Sequence, residues 1–397
     1  MKRIFLTTMA LCKLIASFSQ SATDSSHYQS RKLSIDEINL VSSYYQQNGN
    51  NSAVTGGIGT EKLNDISNNL DIRLFMFDRK KRKNIFDVEI GIDHYTSASS
   101  DKIDLKANSS ASYADTRIYP SVNWSREHEQ KGTTIGAGLS FSNEFDYQSK
   151  GINLLFAKKT ADKNGEFTAK LQAYLDQVSL VTPTELRSGG GFGEHEDYGT
   201  ANRNTFAASL SYTQIINTRL QVAFLADLIQ QNGYLGLPFH RVYFTDGSVH
   251  QENLPDSRLK IPLGFRANYF AGDRLIIRSY YRFYTDNWGI SAHTADLELP
   301  VKINPFFSIS PFYRFTHQKG TRYFAPYEVH KATETYYTSN YDLSSFNSHF
   351  MGAGFRWSPV KGVFGIAHLQ SMELRYGHYN RSTGLQSNIV SLNLRYK

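Results

Sequence analysis

The chain has 397 residues, 43 Lys and Arg against 36 Asp and Glu, and a formal net charge of +7. A hydrophobic content of 40% and a mean hydropathy of −0.44 are too polar for a bundle of membrane helices, and no apolar run of about eighteen residues follows the N-terminal segment. Aromatic residues make up 14%, nearly all Tyr and Phe, which suits pleated surfaces and points to a β-rich chain.

The start of the chain reads as a secretory leader. Lys2 and Arg3 precede the apolar stretch IFLTTMALCKLIASF, and Ser17, Ser19 and Ser21 offer small residues for cleavage. We expect a signal peptide over residues 1–21, a short periplasmic segment over 22–36, and a single barrel domain over 37–397. Cys12 is the only cysteine. MALC lacks the small residue that lipid attachment needs before the cysteine. Removal of the leader would leave no thiol, which excludes disulfides, Cys-based zinc sites and cysteine nucleophiles together.

Beyond Ile38 the chain alternates. The first loop, GGIGTEK (Gly56–Lys62), is glycine-rich but lacks phosphate-loop spacing, so a flexible outer loop is expected. The dense basic run RKKRKN (Arg79–Asn84) falls between two strand patterns and reads as a solvated turn. No helix-turn-helix, zinc spacing or RNA-binding sheet motif accompanies it, so no nucleic acid partner is expected. FDVEIGIDHY puts Phe86, Val88, Ile90 and Ile92 on one face and Asp87, Glu89 and Asp93 on the other. EFTAKLQAYLDQ separates Phe167, Ala169, Leu171, Ala173 and Leu175 from Glu166, Lys170 and Asp176.

RSGGGFGEHEDYG (Arg187–Gly199) carries Glu194, His195, Glu196 and Asp197. Adjacent residues of an extended chain point opposite ways and cannot all reach one ion, so an acidic solvated loop is expected there rather than a metal site. HRVYFTDGSVHQEN (His240–Asn253) holds Asp246-Gly247 between alternating residues, a hairpin signal. Whether that loop projects outward or folds inward as a constriction is open at this level.

RLKIPLGFRANYF sets Leu259, Ile261, Leu263, Phe265, Ala267 and Tyr269 against Arg258, Lys260 and Arg266. DRLIIRSYYRFYTD sets Leu275, Ile277, Tyr281 and Phe283 against Arg274, Arg278 and Arg282. TADLELPVKI and the terminal NIVSLNLRYK repeat the pattern. Such segments recur about sixteen times, many near the length of a tilted membrane-crossing strand.

Their connectors alternate. DRKKRKN, EHEQKG, ADKNG, INTR, AGDR, INPF and SPVKG are short. Between them fall Gly49–Thr60, Ser97–Asp115, Val181–Arg203, Gly236–Ser257, Tyr323–Ser344 and Tyr379–Gln386, with brief outer connectors near Gln148 and Asn287. Tight turns on one rim and extended loops on the other describe an all-β, closed, antiparallel up-and-down transmembrane barrel with short periplasmic turns and longer extracellular loops. A sandwich of about sixteen strands would leave costly edges, whereas closure pairs every backbone group, as hydrocarbon demands. An outward arginine at the bilayer midplane costs roughly 2–4 kcal/mol, which accounts for the charge being confined to one face. Tyr95, Trp124, Trp288, Trp357, Tyr376 and Tyr396 are candidates for interfacial girdles. The last strand is amphipathic with a penultimate aromatic, similar to the signal read by the barrel-assembly machinery, although Lys397 replaces the usual terminal Phe.

Five stretches carry a family resemblance: SSYYQQNGNNSAVTGGIGTEKL, FDVEIGIDHYTSASSDKID, ENLPDSRLKIPLGFRANYF, YYTSNYDLSSFNSHFMGAGFRW and ELRYGHYNRSTG. Together they resemble an uncharacterised Gram-negative family of unknown function whose members are expected to be outer-membrane β-barrels. The resemblance spans most of the mature chain and implies the fold and a location in the bacterial outer membrane. It implies no reaction, and no catalytic residues carry over. It points to an exported redox protein as one kind of partner.

The functional reading rests on the lumen. Lys260, Arg266, Arg278 and Arg282 fall on two consecutive strands, and Asp87, Glu89 and Asp93 fall roughly across the barrel, so a transverse field is expected. The plain alternative is that these charges pair with their neighbours and keep the lumen wet. Neither a cofactor nor a metal is expected, and no catalytic set assembles: Asp93 and His94 face opposite ways. A porin-like conduit for small polar solutes is the leading expectation. The alternative is a barrel that docks or exports a periplasmic or surface partner, and a rim enzyme is a lesser one. Outer-membrane lipid is a partner in every case.

Overall fold

The structure is a computed structural model that describes residues 32–96, 114–183, 186 and 199–397. The expected leader and the Glu194–Asp197 cluster lie outside the described residues. Among the described residues no helix is long and apolar enough to cross a membrane. The chain is a sheet of antiparallel neighbours in sequence order, and it closes on itself because β1 (Ser34–Asn48) pairs with β19 (Gln386–Tyr396).

From the N-terminus the wall continues through β2 (Leu63–Phe77), β3 (Lys83–Thr96), β4 (Ala114–His128), β5 (Thr133–Asn143), β6 (Tyr147–Lys159), β7 (Gly165–Ser179), β8 (Thr200–Asn217) and β9 (Leu220–Gly233). A two-stranded hairpin, β10 (Arg241–Tyr243) and β11 (Val249–Gln251), stands apart from the wall. The wall resumes with β12 (Ser257–Ala271), β13 (Leu275–Asp286), β14 (Ser291–Glu298), β15 (Val301–Asn304), β16 (Phe307–Lys319), β17 (Phe346–Trp357) and β18 (Leu369–Arg381) before β19. The first strand begins at Ser34, slightly ahead of the boundary read from the sequence.

β14 and β15 are one strand in two pieces. Pro300 has no N–H to give the ladder. Backbone bonding nevertheless runs on through the break, with Ile276 N–H donating to Pro300 O at 3.0 Å and Leu299 N–H donating to Pro311 O at 2.9 Å. Counted so, the closed wall has the sixteen strands expected.

Closure leaves no edge, so the backbone is satisfied within the wall. The outward face is apolar. Leu139 is 64% exposed, Leu171 57% and Phe224 56%, values that water would not favour and lipid tails would. The basic run becomes a tight turn: Asp78 accepts from the N–H groups of Lys80 and Arg82, at 2.8 and 2.9 Å, and pairs with the Arg82 guanidinium at 2.7 Å. Those hydrogen bonds, the Arg82 N–H first, hold the Asp78 carboxyl down at about 2.

Four of the six girdle candidates lie on the outward face. Trp288 does not: it is 2% exposed, donates its indole N–H to Ser257 O at 3.0 Å and stacks against Arg258 at 4.3 Å. It is a wedge between a short outer turn and the wall. Tyr95 points inward, where its hydroxyl donates to Glu144 at 2.5 Å.

Candidate functional site

Register alone traces one face round the barrel. Residues directly opposite in an antiparallel pair point the same way. Arg278 lies opposite Glu298, Glu298 opposite Phe312, Phe312 opposite Gly352, and Gly352 opposite Gly377. Gly377 lies opposite Ile389, Ile389 opposite Tyr45, Tyr45 opposite Asp65, and Asp65 opposite Tyr95. Alternation along β3 then adds Asp93, Glu89 and Asp87. In the other direction Arg282 faces Gly264, Arg266 faces Tyr280 and Lys260 faces Asp286. All seven charges singled out from the sequence therefore share a face.

That face is concave. Glu298 of β14 and Arg375 of β18 are separated by β16 and β17, yet their side chains meet at 2.9 Å. Long side chains two strands removed converge only on the inside of a curved wall. Glycine makes room for them: a Cβ at Gly354 would lie 3.1 Å from Arg375 Cγ and 3.3 Å from Glu373 Oε1. Arg375 also packs over the Phe312 ring at 4.9 Å.

The two walls differ in how their charges are met. On the acidic side Asp93 accepts from Ser67 Oγ at 2.5 Å and from the Tyr119 hydroxyl at 3.0 Å. Glu89 accepts from Asn69 Nδ2 at 2.5 Å and from Ser121 Oγ at 3.3 Å. Asp87 is the exception, with Arg73 opposite it in register at 2.6 Å. On the basic side Arg278 faces Glu298 at 3.5 Å, Arg314 faces Asp296 at 2.8 Å and Arg258 meets Asp286 at 2.6 Å. β3 is third and β12 and β13 are tenth and eleventh in the ring of sixteen, so the two groups stand on opposite sides. Asp93 and His94 sit on opposite faces, as alternation requires; His94 Nδ1 meets Thr116 Oγ1 at 2.9 Å.

The outer mouth is roofed. Three loops that leave the wall at distant points, 49–62, 234–256 and 320–345, pack together. Arg241 Nη1 donates to Val54 O at 2.8 Å, joining loops from opposite sides of the barrel. Phe244 forms a backbone bridge with His330, and Asn253 one with Tyr337. Glu252 is the polar centre: it accepts from Thr338 Oγ1 at 2.5 Å and Leu237 N–H at 2.8 Å, with His240 Nδ1 at 3.7 Å. Burial pushes this carboxyl up, but His240, Thr338 and Leu237 outweigh it and hold it below its ordinary value. Val242, Phe244, His330 and Thr338 are all no more than 2% exposed, so the roof has a core of its own. The hairpin thus folds across the mouth, and the glycine-rich first loop, expected to be flexible, is part of this packed roof. Its Gly56, at φ 81°, leaves room for the Tyr243 ring, which a Cβ there would approach to 2.5 Å.

Between roof and wall lies a cavity of about 490 Å³ that includes Glu61, Tyr95, Glu144, Arg203, His240 and Asp342 in its lining. Burial raises the Glu61 carboxyl, aided by Asp342 and opposed by Arg381. Burial also raises the Glu144 carboxyl, aided by Asp146, against a lowering by the Tyr95 hydroxyl. Sequence reasoning missed this vestibule because its parts come from segments far apart in the chain.

A closed wall of sixteen strands with an apolar outside and an ionised, enclosed inside is a transmembrane β-barrel of the bacterial outer membrane. The chain belongs to the DUF3570 family of proteins of unknown function, whose family model matches residues 93–381. No curated protein matches it. Among solved structures it is similar to OccK2 (OpdF) of Pseudomonas aeruginosa, with 8% identity, 91% of this chain and 97% of that one covered, and a TM-score of 0.42. It is also similar to a BenF-like porin from Pseudomonas fluorescens Pf-5, with 8% identity, coverage of 91% and 98%, and a TM-score of 0.44. The siderophore receptor PirA of Acinetobacter baumannii is 11% identical over 88% of this chain and 54% of its own, with a TM-score of 0.47.

Proposed function

We propose that the protein is a passive or gated conduit for small polar solutes, with no catalytic role. Lys260, Arg266, Arg278 and Arg282 on one wall, and Asp87, Glu89 and Asp93 on the other, set its electrostatics. The observation that carries this reading is the unequal treatment of the two walls. Glu89 and Asp93 meet hydroxyls and an amide rather than a cation within ion-pair distance, so a field runs across the lumen that the Asp87 and Arg278 ion pairs only partly cancel. The roof then acts as the gate, and solute enters through the vestibule beside it. Single-channel recording in planar bilayers tests the reading: discrete conductance steps support it.

A second reading, a docking barrel for a periplasmic partner, has its own observation. The periplasmic turn 358–368 leaves Val360 84% and Phe364 72% exposed. Exposed apolar side chains on a turn are expected where a partner or the lipid headgroup layer covers them. A barrel without conductance steps that captures a periplasmic protein, and loses it on V360D/F364D, would favour this reading.

A further inference from the structure

The conduit reading leaves open what kind of solute the basic wall receives. Most arginines on that wall have a carboxylate: Arg258 has Asp286, Arg278 and Arg375 have Glu298, and Arg314 has Asp296. Among the described residues Arg266 and Arg282 have none within ion-pair distance. Both are exposed, and each makes only a ring contact, Arg266 over Tyr280 at 5.6 Å and Arg282 over Tyr284 at 5.9 Å. Every carboxylate on the two following strands is already engaged. Asp227 shares the arginines' face, because Leu225 lies opposite Gly264, and among the described residues it makes no ion pair with either arginine.

The two arginines are diagonal neighbours. Arg282 lies opposite Gly264, two residues from Arg266 on the same strand. Diagonal Cβ atoms on an antiparallel pair are about 7–8 Å apart. Tyr280 lies between them, and it fits because residue 264 is glycine: a Cβ there would stand 3.2 Å from the Tyr280 ring and hydroxyl. Gly264 falls near the middle of β12, so the pair sits at mid-depth rather than at a rim.

We propose that Arg266 and Arg282 form a subsite for small dicarboxylate anions inside the conduit, an inference that rests on the conduit reading. Each guanidinium presents a planar fork that takes one carboxylate through two parallel hydrogen bonds. Two unpaired forks on flexible stems that start from diagonal positions can close on a short dianion with a carboxylate at each end. Tyr280 supplies a flat floor between them, and Lys260 on the same wall adds charge on the extracellular side. A monocarboxylate engages one fork, whereas a dicarboxylate engages both.

The test uses the full-length barrel in planar bilayers in potassium chloride, with succinate as the probe and acetate and phosphate as comparators. Succinate should reduce the single-channel current, and the half-blocking concentration should rise about thirtyfold in R266Q/R282Q and about fivefold to tenfold in either single variant. R73Q, which removes an arginine already paired with Asp87 on the far wall, should shift it less than about twofold. Unchanged block in the double variant, or equal block by acetate or phosphate, overturns the subsite. Absence of conductance steps overturns the conduit instead. In that case, calorimetric titration of the detergent-solubilised barrel decides the subsite alone: heat from succinate that R266Q/R282Q abolishes supports it, and no heat from wild type overturns it.

Discussion

Glu298 on β14 and Arg375 on β18 meet at 2.9 Å across two intervening strands. The same carboxylate holds Arg278 at 3.5 Å, so one acid stands between two bases on the inner wall. Glu298→Gln should release Arg278, while Arg375 keeps Glu373 at 3.2 Å. The pairs are partly solvated, so the stability loss should be only about 1 kcal/mol. The larger effect should be electrical: one negative charge fewer on the inner wall and a freed Arg278 guanidinium raise the preference for anions. Reversal potentials in a potassium chloride gradient should shift toward the chloride potential, and a shift toward potassium would contradict the assignment.

The roof depends on Glu252. Glu252→Ala leaves the buried Thr338 hydroxyl and the half-buried Leu237 N–H without that acceptor. Each orphaned group costs about 1–3 kcal/mol, so the loops should open while the wall, hydrogen-bonded strand to strand, stays closed. Limited trypsin digestion should cut within 234–256 and 320–345 and leave the heat-modifiable migration of the barrel intact. Channel recordings of the variant should show more frequent open events.

The outer rim should respond to pH through two opposing groups. Glu61 has a raised carboxyl, so its contribution to stability is present below the ordinary carboxylate range and lost as pH rises through the raised value. Glu252 has a lowered one, so its contribution is present above the ordinary range and lost as pH falls. Amide exchange in 49–62, corrected for intrinsic rate, should therefore speed up from mild acid to neutrality. Glu61→Gln should flatten that trend without altering exchange in 320–345.

Much of this architecture was legible because a strand writes its two environments into alternate residues. Ile277, Tyr281 and Phe283 against Arg278 and Arg282 announce a two-faced strand, and the short and long connectors announce which rim is which. What alternation cannot show is who meets whom across the lumen. Arg241 and Val54 are 187 residues apart, so their bond in the roof left no local trace. Trp288 read as a girdle residue because a rim tryptophan beside a strand end fits lipid and a packed loop equally well. The carboxylate partners of Arg258, Arg278 and Arg314 follow from register, which one-residue slips would reverse. The unpaired state of Arg266 and Arg282 became visible only once those partners were placed.

Charge on the outer face should be punished where charge on the inner face is not. Leu263 is 45% exposed on the apolar face, opposite Phe283. Leu263→Arg should cost roughly 2–4 kcal/mol near the midplane. Thr294→Arg, opposite Arg282 on the inner face, should cost far less. The folded fraction in lipid vesicles, read by heat-modifiable migration, compares the two.

The most direct measurement places single spin-labelled cysteines along 276–284 of β13 in the reconstituted barrel, with Cys12 replaced in the background. Labels at 277, 279, 281 and 283 should be relaxed by oxygen, which concentrates in lipid, and those at 278, 280 and 282 by a water-soluble nickel complex. Accessibility without that two-residue period, or with its phase reversed, would contradict the assignment of the ionised face to an enclosed aqueous interior.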